Sequence, residues 1–418
     1  MTTKSKIVRT KNVIARFIAY CGPALIVSIA YMDPGNYGTD IQGGASFGYS
    51  LLWVVWLSSI MAMMIQYLSG KLGIATGSSL AELLREKLRK KIFVIPYWFS
   101  AEIVTAATDL AEYLGTVIAL NLLFGVPILY AAIFGAADVV IILALTSKKF
   151  RFLEQLFLLF VSIISLGYLY ETFITKPNLS SIVIHSFTPT FANSHALFIA
   201  VGIIGATVMP HVVFLHSALT KERSQNKTLE EKKKMRHLHL VETIIVLSIA
   251  GLINAAILII SAVAFNPAHS QIQSITEAYQ TLVPLFGIAA GIIFLVTLLS
   301  SGLASSMAGT LAGQVIMEGF LGKKVNVWLR RIITRFVNVI PTTIAILLGF
   351  DPLQILVYSQ VILSLLIPLA IIPLVIITRN KKIMGDFVNR RITTVMAVLF
   401  TGIILGLNVY LLISGQSR

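Results

Sequence analysis

A short polar run interrupts an apolar segment near the start of the chain. Residues 14–31 are mostly apolar, and the run that follows shortly after reads Asp33-Pro34-Gly35-Asn36. A spanning helix would cross the bilayer centre here, where a carboxylate costs about 3 kcal/mol or more and usually belongs to a substrate or ion pathway. Because Pro34 lacks an amide donor and Gly35 loosens the backbone, we expect the helix to break beside Asp33. A broken helix in a membrane must face protein or a wet cavity, so the run predicts a cation site.

The composition is that of a membrane protein. Of the 418 residues, 56% are hydrophobic and 12% are charged, against about 25% charged residues in soluble domains. Windows of about 20 apolar residues, the length that crosses the hydrocarbon layer, predict transmembrane helices. The eleven predicted spans are 14–42, 48–70, 95–124, 127–146, 152–173, 196–219, 241–265, 285–312, 328–349, 353–377 and 393–413. The lipid bilayer is therefore the first expected partner.

Basic residues alternate between the connections of these spans. The formal net charge is +15. Lys and Arg concentrate in the N-terminal tail and in every second connection, including residues 221–239, which we expect to form a solvated loop. The opposite connections and the C-terminal tail contain only two basic residues, Lys176 and Arg418. Since Lys and Arg stay on the cytoplasmic side, we predict a multi-pass protein of the cell membrane with a cytoplasmic N-terminus and an extracellular C-terminus.

This distribution makes the positive charge a topology signal, which argues against nucleic-acid binding. The single Cys21 excludes an internal disulfide and a cluster of thiol ligands. An intramembrane metalloenzyme would need a close ligand set such as HExxH, and the sequence contains none. We therefore predict no enzyme activity, no cofactor and no obligate protein partner.

A second proline break lies in the middle of span six, where the sequence reads Gly205-Ala206-Thr207-Val208-Met209-Pro210-His211. Spans one and six are five helices apart, so a second unit of five enters the membrane from the opposite side. Two corresponding broken spans indicate a transporter built from inverted repeats, with its substrate site where the breaks meet. We predict a tail over 1–13 and one transmembrane domain over 14–418, with repeats over about 14–173 and 196–377 and an extra helix over about 393–413.

These motifs resemble those of the natural resistance-associated macrophage protein (Nramp) family of divalent-metal transporters. The resemblance runs from about residue 14 to 413. It rests on Asp33-Pro34-Gly35-Asn36 and Met209-Pro210-His211, with support from Thr108-Asp109-Leu110-Ala111-Glu112 in span three and Gly313-Gln314-Val315-Ile316-Met317-Glu318-Gly319-Phe320-Leu321 after span eight. It implies an all-α membrane protein of LeuT-like fold, with two inverted five-helix repeats, broken helices 1 and 6, and an eleventh helix. It also implies proton-coupled import of Mn²⁺, Fe²⁺ and similar ions by alternating access, as in bacterial manganese transporters.

Donor chemistry at the two breaks favours a transition metal. Asp33 offers a hard anionic oxygen and Asn36 an amide oxygen, and oxygen alone would suit Mg²⁺ or Ca²⁺. Met209 adds a thioether sulfur, which favours softer ions. Two alternatives remain at this point: a Mg²⁺-type relative, a branch that lacks the methionine, and a sodium–amino-acid symporter of the same fold. A carboxylate at the break suits a cation better than an amino acid.

The family resemblance implies three further metal ligands. The family takes backbone carbonyl ligands from the positions of Ala30 and Ala206, and Gln360 in span ten matches a side-chain ligand position. One departure lies in the same span, because many relatives carry a glutamine where this chain has Leu366. The departure concerns the details of span ten and leaves the ligands at the two breaks unaffected.

A polar stripe along span three supplies candidate proton carriers. Its members recur every three to four residues and so share one helix face; they are Glu102, Thr105, Asp109, Glu112 and Thr116. Acids and histidines inside a membrane mark proton relays. His211 is the side-chain type that titrates nearest neutrality. We therefore predict a proton pathway that includes Asp33, His211 and the acids of the stripe.

The surroundings of that pathway allow more than one pairing. Glu112 and His211 are alternatively a buried ion pair without a transport role. Arg330 and Arg331, at the start of span nine, either pair with Asp109 or Glu112, as in the exit network of the resembled family, or anchor the helix at the membrane interface.

Three other polar residues within the spans belong to neither the metal ligands nor the proton pathway. Asp40 lies one turn beyond the first break and is expected to support the site or to line its outer entrance. His216 is expected to pack or cap a helix rather than bind metal. Asp138 in span four has no assigned role.

Overall fold

The structure, a computed structural model, describes residues 22–136, 150–266 and 275–415. Regular structure within these ranges is entirely helical. The α-helices are α1 (Pro23–Ala30), α2 (Pro34–Phe47), α3 (Leu52–Thr76), α4 (Leu80–Leu88), α5 (Lys91–Phe124), α6 (Phe150–Thr175), α7 (Leu179–Phe187), α8 (Ser194–Val208), α9 (Pro210–Ser224), α10 (Leu229–Phe265), α11 (Ile275–Phe286), α12 (Ile288–Leu321), α13 (Val327–Leu347), α14 (Pro352–Thr378), α15 (Lys381–Met384) and α16 (Arg391–Gly415). Residues 128–136 are also helical, and short 3₁₀ turns cover Gly48–Leu51 and Gly385–Phe387.

Eight stretches of the described chain are long and apolar enough to cross a membrane, judged by length and composition. They match every predicted span except four and nine, and spans one and two fall together in Pro34–Thr76. Half of span four, with Asp138, and residues 14–21 of span one lie outside the described residues. At span nine, α13 carries three arginines in its first half. The total of eleven transmembrane helices stays a prediction.

Two predicted connections are helical. The prediction of a loop over residues 221–239 is wrong. Helix α9 continues to Ser224 and α10 begins at Leu229, so only a short turn separates them. Thr228 and Glu231 form a capping box in which each side chain binds the other's backbone amide, so α10 begins in the charged segment before it enters the apolar one. Residues 313–321, placed after span eight, instead continue α12, which ends at Gly322 in the left-handed conformation.

At the first helix break, backbone carbonyls that leave the helix bond to side chains of neighbouring helices. α1 ends at Ala30, and Tyr31 and Met32 connect it to α2. Nδ2 of Asn254 in α10 donates to the Tyr31 carbonyl at 3.1 Å, and the Ser301 hydroxyl of α12 donates to the Met32 carbonyl. An unwound segment at membrane depth requires such partners. The predicted break beside Asp33 is confirmed.

The second helix break is a single strained residue. Met209 joins α8 to α9 with φ 43° and ψ 90°, and a non-glycine residue in this region of positive φ costs about 1–3 kcal/mol. Pro210 then begins α9. Close packing holds the joint, since a Cβ atom at Gly205 would overlap the backbone of Gln360 in α14. The break predicted in span six is also confirmed.

Candidate metal site

Asp33 is fully buried and forms the N-cap of α2. Its Oδ1 accepts hydrogen bonds from the backbone nitrogen of Asn36 at 2.9 Å and from the Asn36 side chain at 2.8 Å. A carboxylate is favourable here because a helix N-terminus carries partial positive charge. Oδ2 has no hydrogen-bond partner among the described residues. One oxygen thus fixes the side chain, and the other is available to a cation.

Asn36 connects the two helix breaks. Its Nδ2 donates to the Ala206 carbonyl at 3.1 Å, near the end of α8. Its Oδ1 accepts from Nδ2 of Asn254 at 3.1 Å and from the Thr207 hydroxyl at 3.3 Å. The breaks therefore meet, as the inverted-repeat argument predicted. Coordination of a metal by Asn36 Oδ1 requires that the ion replace one of its two hydrogen bonds, whereas the Ala206 carbonyl has a second lone pair for a metal.

Gln360 approaches Asp33 from α14, the helix that packs on α2 and α8. A Cβ atom at Gly35 would overlap the side-chain amide of Gln360 and would lie 2.9 Å from Oδ2 of Asp33. Oε1 of Gln360 has no hydrogen-bond partner in the described part of the chain, like Oδ2 of Asp33. Buried polar atoms normally have partners. A carboxylate and an amide from different helices thus meet beside one glycine, and each has an oxygen left for a ligand.

The two remaining predicted ligands belong to the same buried cluster. Met209 and Ala30 are both inaccessible and share that cluster with Tyr31 and Met32, the residues next to Asp33. Ala30 ends α1, so its carbonyl has no following helical turn to bond. The structure therefore brings Ala30, Ala206 and Met209 to the same pair of breaks as Asp33 and Asn36, and their role as ligands stays a prediction.

Changing Gly35 to alanine is expected to weaken Mn²⁺ binding by about tenfold or more, because the added methyl group displaces Gln360 from Asp33 and overpacking costs about 1–3 kcal/mol. Calorimetric titration of the purified protein measures the affinity. Gly43→Ala is a matched control on the same helix, since its Cβ meets neighbours at ordinary distances of 3.5–3.6 Å. Equal affinities for the two variants would show that Gln360 does not share a ligand with Asp33.

Asp109, in the span-three stripe, lies in a network of buried basic and amide groups. Oδ1 bonds with Nη1 of Arg331 and lies 3.7 Å from Nη1 of Arg335. Oδ2 accepts from Nδ2 of Asn338 at 2.9 Å. The Ser306 hydroxyl of α12 accepts from both arginines. Asp109 is therefore an ionised member of a fixed network that ties α5 to α13.

Glu102, also in the span-three stripe, pairs with Arg330. Nη2 of Arg330 lies 3.0 Å from Oε2 of Glu102, and Nε1 of Trp98 donates to the second oxygen at 3.0 Å. Of the two arginines expected to pair with Asp109 or Glu112, only Arg331 does so. The alternative in which Arg330 pairs with Asp109 or Glu112 does not occur, because its guanidinium pairs with Glu102 instead.

Glu112 has no ionic partner of this kind. Neither of its carboxylate oxygens has a hydrogen-bond partner within the described ranges, and the carboxylate faces Gly309 of α12. His211 instead bonds through Nδ1 to the Thr108 hydroxyl at 3.2 Å, and its Nε2 is unpartnered in the same ranges. The alternative of a Glu112–His211 ion pair is wrong. Each group is buried with capacity to bind a proton.

His216 and Asp40 take no part in the hydrogen bonds described above. Nδ1 of His216 bonds to the Gln66 side chain at 2.9 Å, and its ring packs edge-on against His239 at 4.8 Å between centroids. This agrees with a packing role. Asp40 is fully buried in α2, and its oxygens accept no hydrogen bond from the residues described.

Similarity to known proteins identifies the family of this chain. The family model "Natural resistance-associated macrophage protein-like" matches residues 24–414. The chain belongs to the Nramp family. The divalent metal cation transporter MntH of Deinococcus radiodurans is 46% identical over 96% of this chain and 90% of that protein. The protein of the same name from Verminephrobacter eiseniae is 44% identical over 95% of this chain and 89% of its own length.

Solved structures extend the comparison of this Nramp chain to the fold. A crystal structure of the Eremococcus coleocola manganese transporter matches with a TM-score of 0.85 at 34% identity, covering 94% of this chain and 85% of that one. The inward-facing structure of Mhp1 matches with a TM-score of 0.55 at 15% identity, covering 95% and 91%. At such low identity the second likeness shows the fold alone. The LeuT-like fold is confirmed.

Three residues that build the site of this Nramp protein were not predicted from the sequence. Asn254 binds both the Tyr31 carbonyl and Asn36, Ser301 binds the Met32 carbonyl, and Thr207 binds Asn36. The signal was present for Asn254, because an amide inside an apolar span must find a partner. Hydroxyl side chains give no such signal, since they bond to their own helix, as Thr207 also does to the Ile203 carbonyl.

Proposed function

We propose that this Nramp protein imports divalent transition-metal ions, with Mn²⁺ and Fe²⁺ as substrates, in symport with protons by alternating access. Relatives named divalent metal cation transporters and a structural neighbour named a manganese transporter support a metal substrate. The observation that carries the proposal is that the Asp33 carboxylate and the Gln360 side-chain amide both lie against Gly35, each with one buried oxygen, Oδ2 and Oε1, that has no hydrogen-bond partner among the described residues. They lie where two broken helices meet, which suits a site reached alternately from either side.

The proposed arrangement in the cell membrane follows from charge. The basic connections face the cytoplasm together with the N-terminus, and the C-terminus lies outside. Eleven spans form one transmembrane domain, with inverted repeats over about 14–173 and 196–377 and an extra helix over about 393–413. The side of the bundle where α6 ends and α7 begins is then the outer side.

The donor set favours a transition metal over the alternative substrates. A Mg²⁺ ion prefers hard oxygen ligands and a rigid octahedral shell, whereas Met209 supplies sulfur to the break in span six. A sodium–amino-acid symporter would bring a substrate carboxylate to the break, where the buried carboxylate of Asp33 would repel it. We therefore assign Asp33, Asn36, Met209, Gln360 and the carbonyls of Ala30 and Ala206 as the ligand set.

Changing Met209 to alanine is expected to reduce selectivity rather than abolish transport. The change removes the soft ligand, so the preference for Cd²⁺ or Mn²⁺ over Ca²⁺ should fall by about tenfold, equivalent to about 1.4 kcal/mol. Competition of Mn²⁺ uptake by millimolar Ca²⁺ in proteoliposomes measures this preference. Met384→Ala is a control, because that buried methionine packs in a separate cluster with Ile74 and Phe387. Competition that is unchanged in Met209→Ala would mean that Met209 only packs.

Proton coupling in this proposal begins at the metal site. A divalent cation and a proton compete for the same unpartnered oxygen of Asp33, so arrival of the metal displaces a proton. Glu112 and His211 are buried and carry unpartnered atoms that can accept it. Asp109, held by Arg331 and Asn338, sets the electrostatic field of that route. Glu102, paired with Arg330 of α13, lies further along the stripe.

Transport by the reconstituted protein tests the proposal. Uptake of Mn²⁺, Fe²⁺, Mg²⁺ and Ca²⁺ is compared in proteoliposomes with an inward proton gradient, with a pH-sensitive dye inside. The expected result is uptake of Mn²⁺ and Fe²⁺ together with acidification of the interior, and little uptake of Mg²⁺ or Ca²⁺. Equal uptake of Mg²⁺ would favour the Mg²⁺-type alternative, and Mn²⁺ uptake without acidification would refute proton symport.

A further inference from the structure

α6 carries a buried acid that the proposed mechanism does not use. Glu171 is 2% exposed, and its carboxylate oxygens have no hydrogen-bond partner anywhere in the described chain. An unpaired carboxylate in a membrane interior is strongly unfavourable, so it binds a proton or a cation instead. Glu171 lies one turn before the end of α6 at Thr175, in the half that faces outward on the proposed orientation.

The described helices that pack most closely on α6 offer Glu171 no fixed counter-ion. α6 packs against α1, α10 and α12. α1, residues 248–265 of α10 and residues 288–305 of α12 contain no acidic, basic or histidine side chain. Lys176, just beyond α6, is exposed. Within the described ranges, the titratable groups that interact with Glu171 include Tyr168 on its own helix and Tyr37 on α2. Neither of these supplies a positive charge, so a proton is the simplest neutralising partner.

Two tyrosines connect Glu171 with the metal site. Tyr168 lies one turn before Glu171, and its ring packs edge-on against Tyr37 at 5.5 Å between centroids. Tyr37 in turn lies one helical turn after Asp33, and its backbone nitrogen donates to the Asp33 carbonyl at 3.3 Å. Both phenol hydroxyls are fully buried and unpartnered in the part of the chain described. A phenol both donates and accepts a hydrogen bond, so the pair can pass a proton without becoming charged.

We propose that Glu171 is a proton-binding site on the outer side of the protein, from which protons reach the metal site through Tyr168 and Tyr37. The inference rests on the proposed function, because it supplies the protons that symport consumes. In each step one O–H bond breaks as another forms: Glu171 protonates Tyr168, whose own proton moves to Tyr37 and on toward the metal site. The Glu171 carboxylate is then reprotonated from the external solution.

Glu171→Gln tests the inference, because glutamine fills the same volume and cannot carry a transferable proton. The stimulation of Mn²⁺ uptake by external acid is measured in proteoliposomes, and Mn²⁺ affinity is measured by calorimetry on the purified protein. In Glu171→Gln we expect acid stimulation to disappear while affinity stays within about twofold of wild type. Glu277→Gln is the matched control, since it removes an exposed acid from the same side and should leave acid stimulation intact.

Tyr168→Phe provides a second test that keeps the ring packing and removes only the hydroxyl. We expect it to reduce acid stimulation in the same direction as Glu171→Gln, so it decides the question if Glu171→Gln does not fold. Full acid stimulation in both variants would overturn the inference and leave the proposed function intact. A loss of Mn²⁺ affinity in Glu171→Gln would also overturn it, because Glu171 would then bind metal. Wild-type protein that imports Mn²⁺ without acidification would instead refute the proposed symport.

Discussion

Replacing Asp33 with alanine is expected to nearly abolish Mn²⁺ binding. Asp33 is the only acid in either break sequence, and its unpartnered Oδ2 faces Gln360 beside Gly35. Loss of one partner from a buried charge pair costs about 2–5 kcal/mol, and about 1.4 kcal/mol is a tenfold change in affinity. The dissociation constant should therefore rise by about thirtyfold or more, as measured by calorimetric titration.

Two further variants make this result specific. Asn36→Ala removes the amide that orients Asp33 and binds the Ala206 carbonyl, and should weaken binding by about tenfold, since such hydrogen bonds are worth about 0.5–1.5 kcal/mol each. Asp386→Ala removes an exposed acid and should bind like wild type. Wild-type affinity in Asp33→Ala would mean that the metal binds elsewhere in the protein.

Replacing Glu112 with glutamine is expected to stop metal-driven acidification of proteoliposomes while Mn²⁺ binding persists. Glu112 is buried, and its oxygens are unpartnered in the described residues, so it is free to carry a proton. Asp109→Asn should also stop acidification, because it changes the field around that route. It should in addition destabilise the protein, since Arg331 and Arg335 lose a buried partner and this costs about 3–5 kcal/mol.

The comparison of these two variants separates a proton carrier from a structural ion pair. Interior pH is followed with a dye during Mn²⁺ uptake, and thermal unfolding is followed in detergent. Glu230→Gln, which removes an exposed acid, should match wild type in both measurements. Acidification at the wild-type rate in Glu112→Gln would place the relay elsewhere. A melting temperature for Asp109→Asn equal to that of wild type would contradict the assigned ion-pair network.

The architecture was predictable because the two proline-containing segments, one of them beside an acid, are compatible with few structures inside a membrane. A proline beside an acid at mid-membrane depth has to break the helix and face a protected environment, and the same event five helices later indicates an inverted repeat. Both breaks, at Asp33 and at Met209, occur as predicted. The family resemblance contributed what the residues alone do not: Gln360 and the two carbonyl positions.

The pairings across helices were not predictable. Periodicity along α5 shows that Glu102, Asp109 and Glu112 share a face, but it does not show which residue of another helix each one meets. The arginine pairing of Glu102 and the isolation of Glu112 depend on the register between α5 and α13. The charged start of α10 was misjudged for a related reason: hydropathy reports where a helix enters the membrane, whereas the capping box at Thr228 determines where it begins.

Anomalous diffraction from crystals grown with Mn²⁺ would locate the transported ion independently of any transport assay. A substrate site at the helix breaks predicts one strong manganese peak in contact with Oδ2 of Asp33, Oε1 of Gln360 and the thioether of Met209. The peak should vanish in crystals of Asp33→Ala grown under the same conditions. A peak found only away from the breaks, or one that persists in Asp33→Ala, would contradict the assignment of this site.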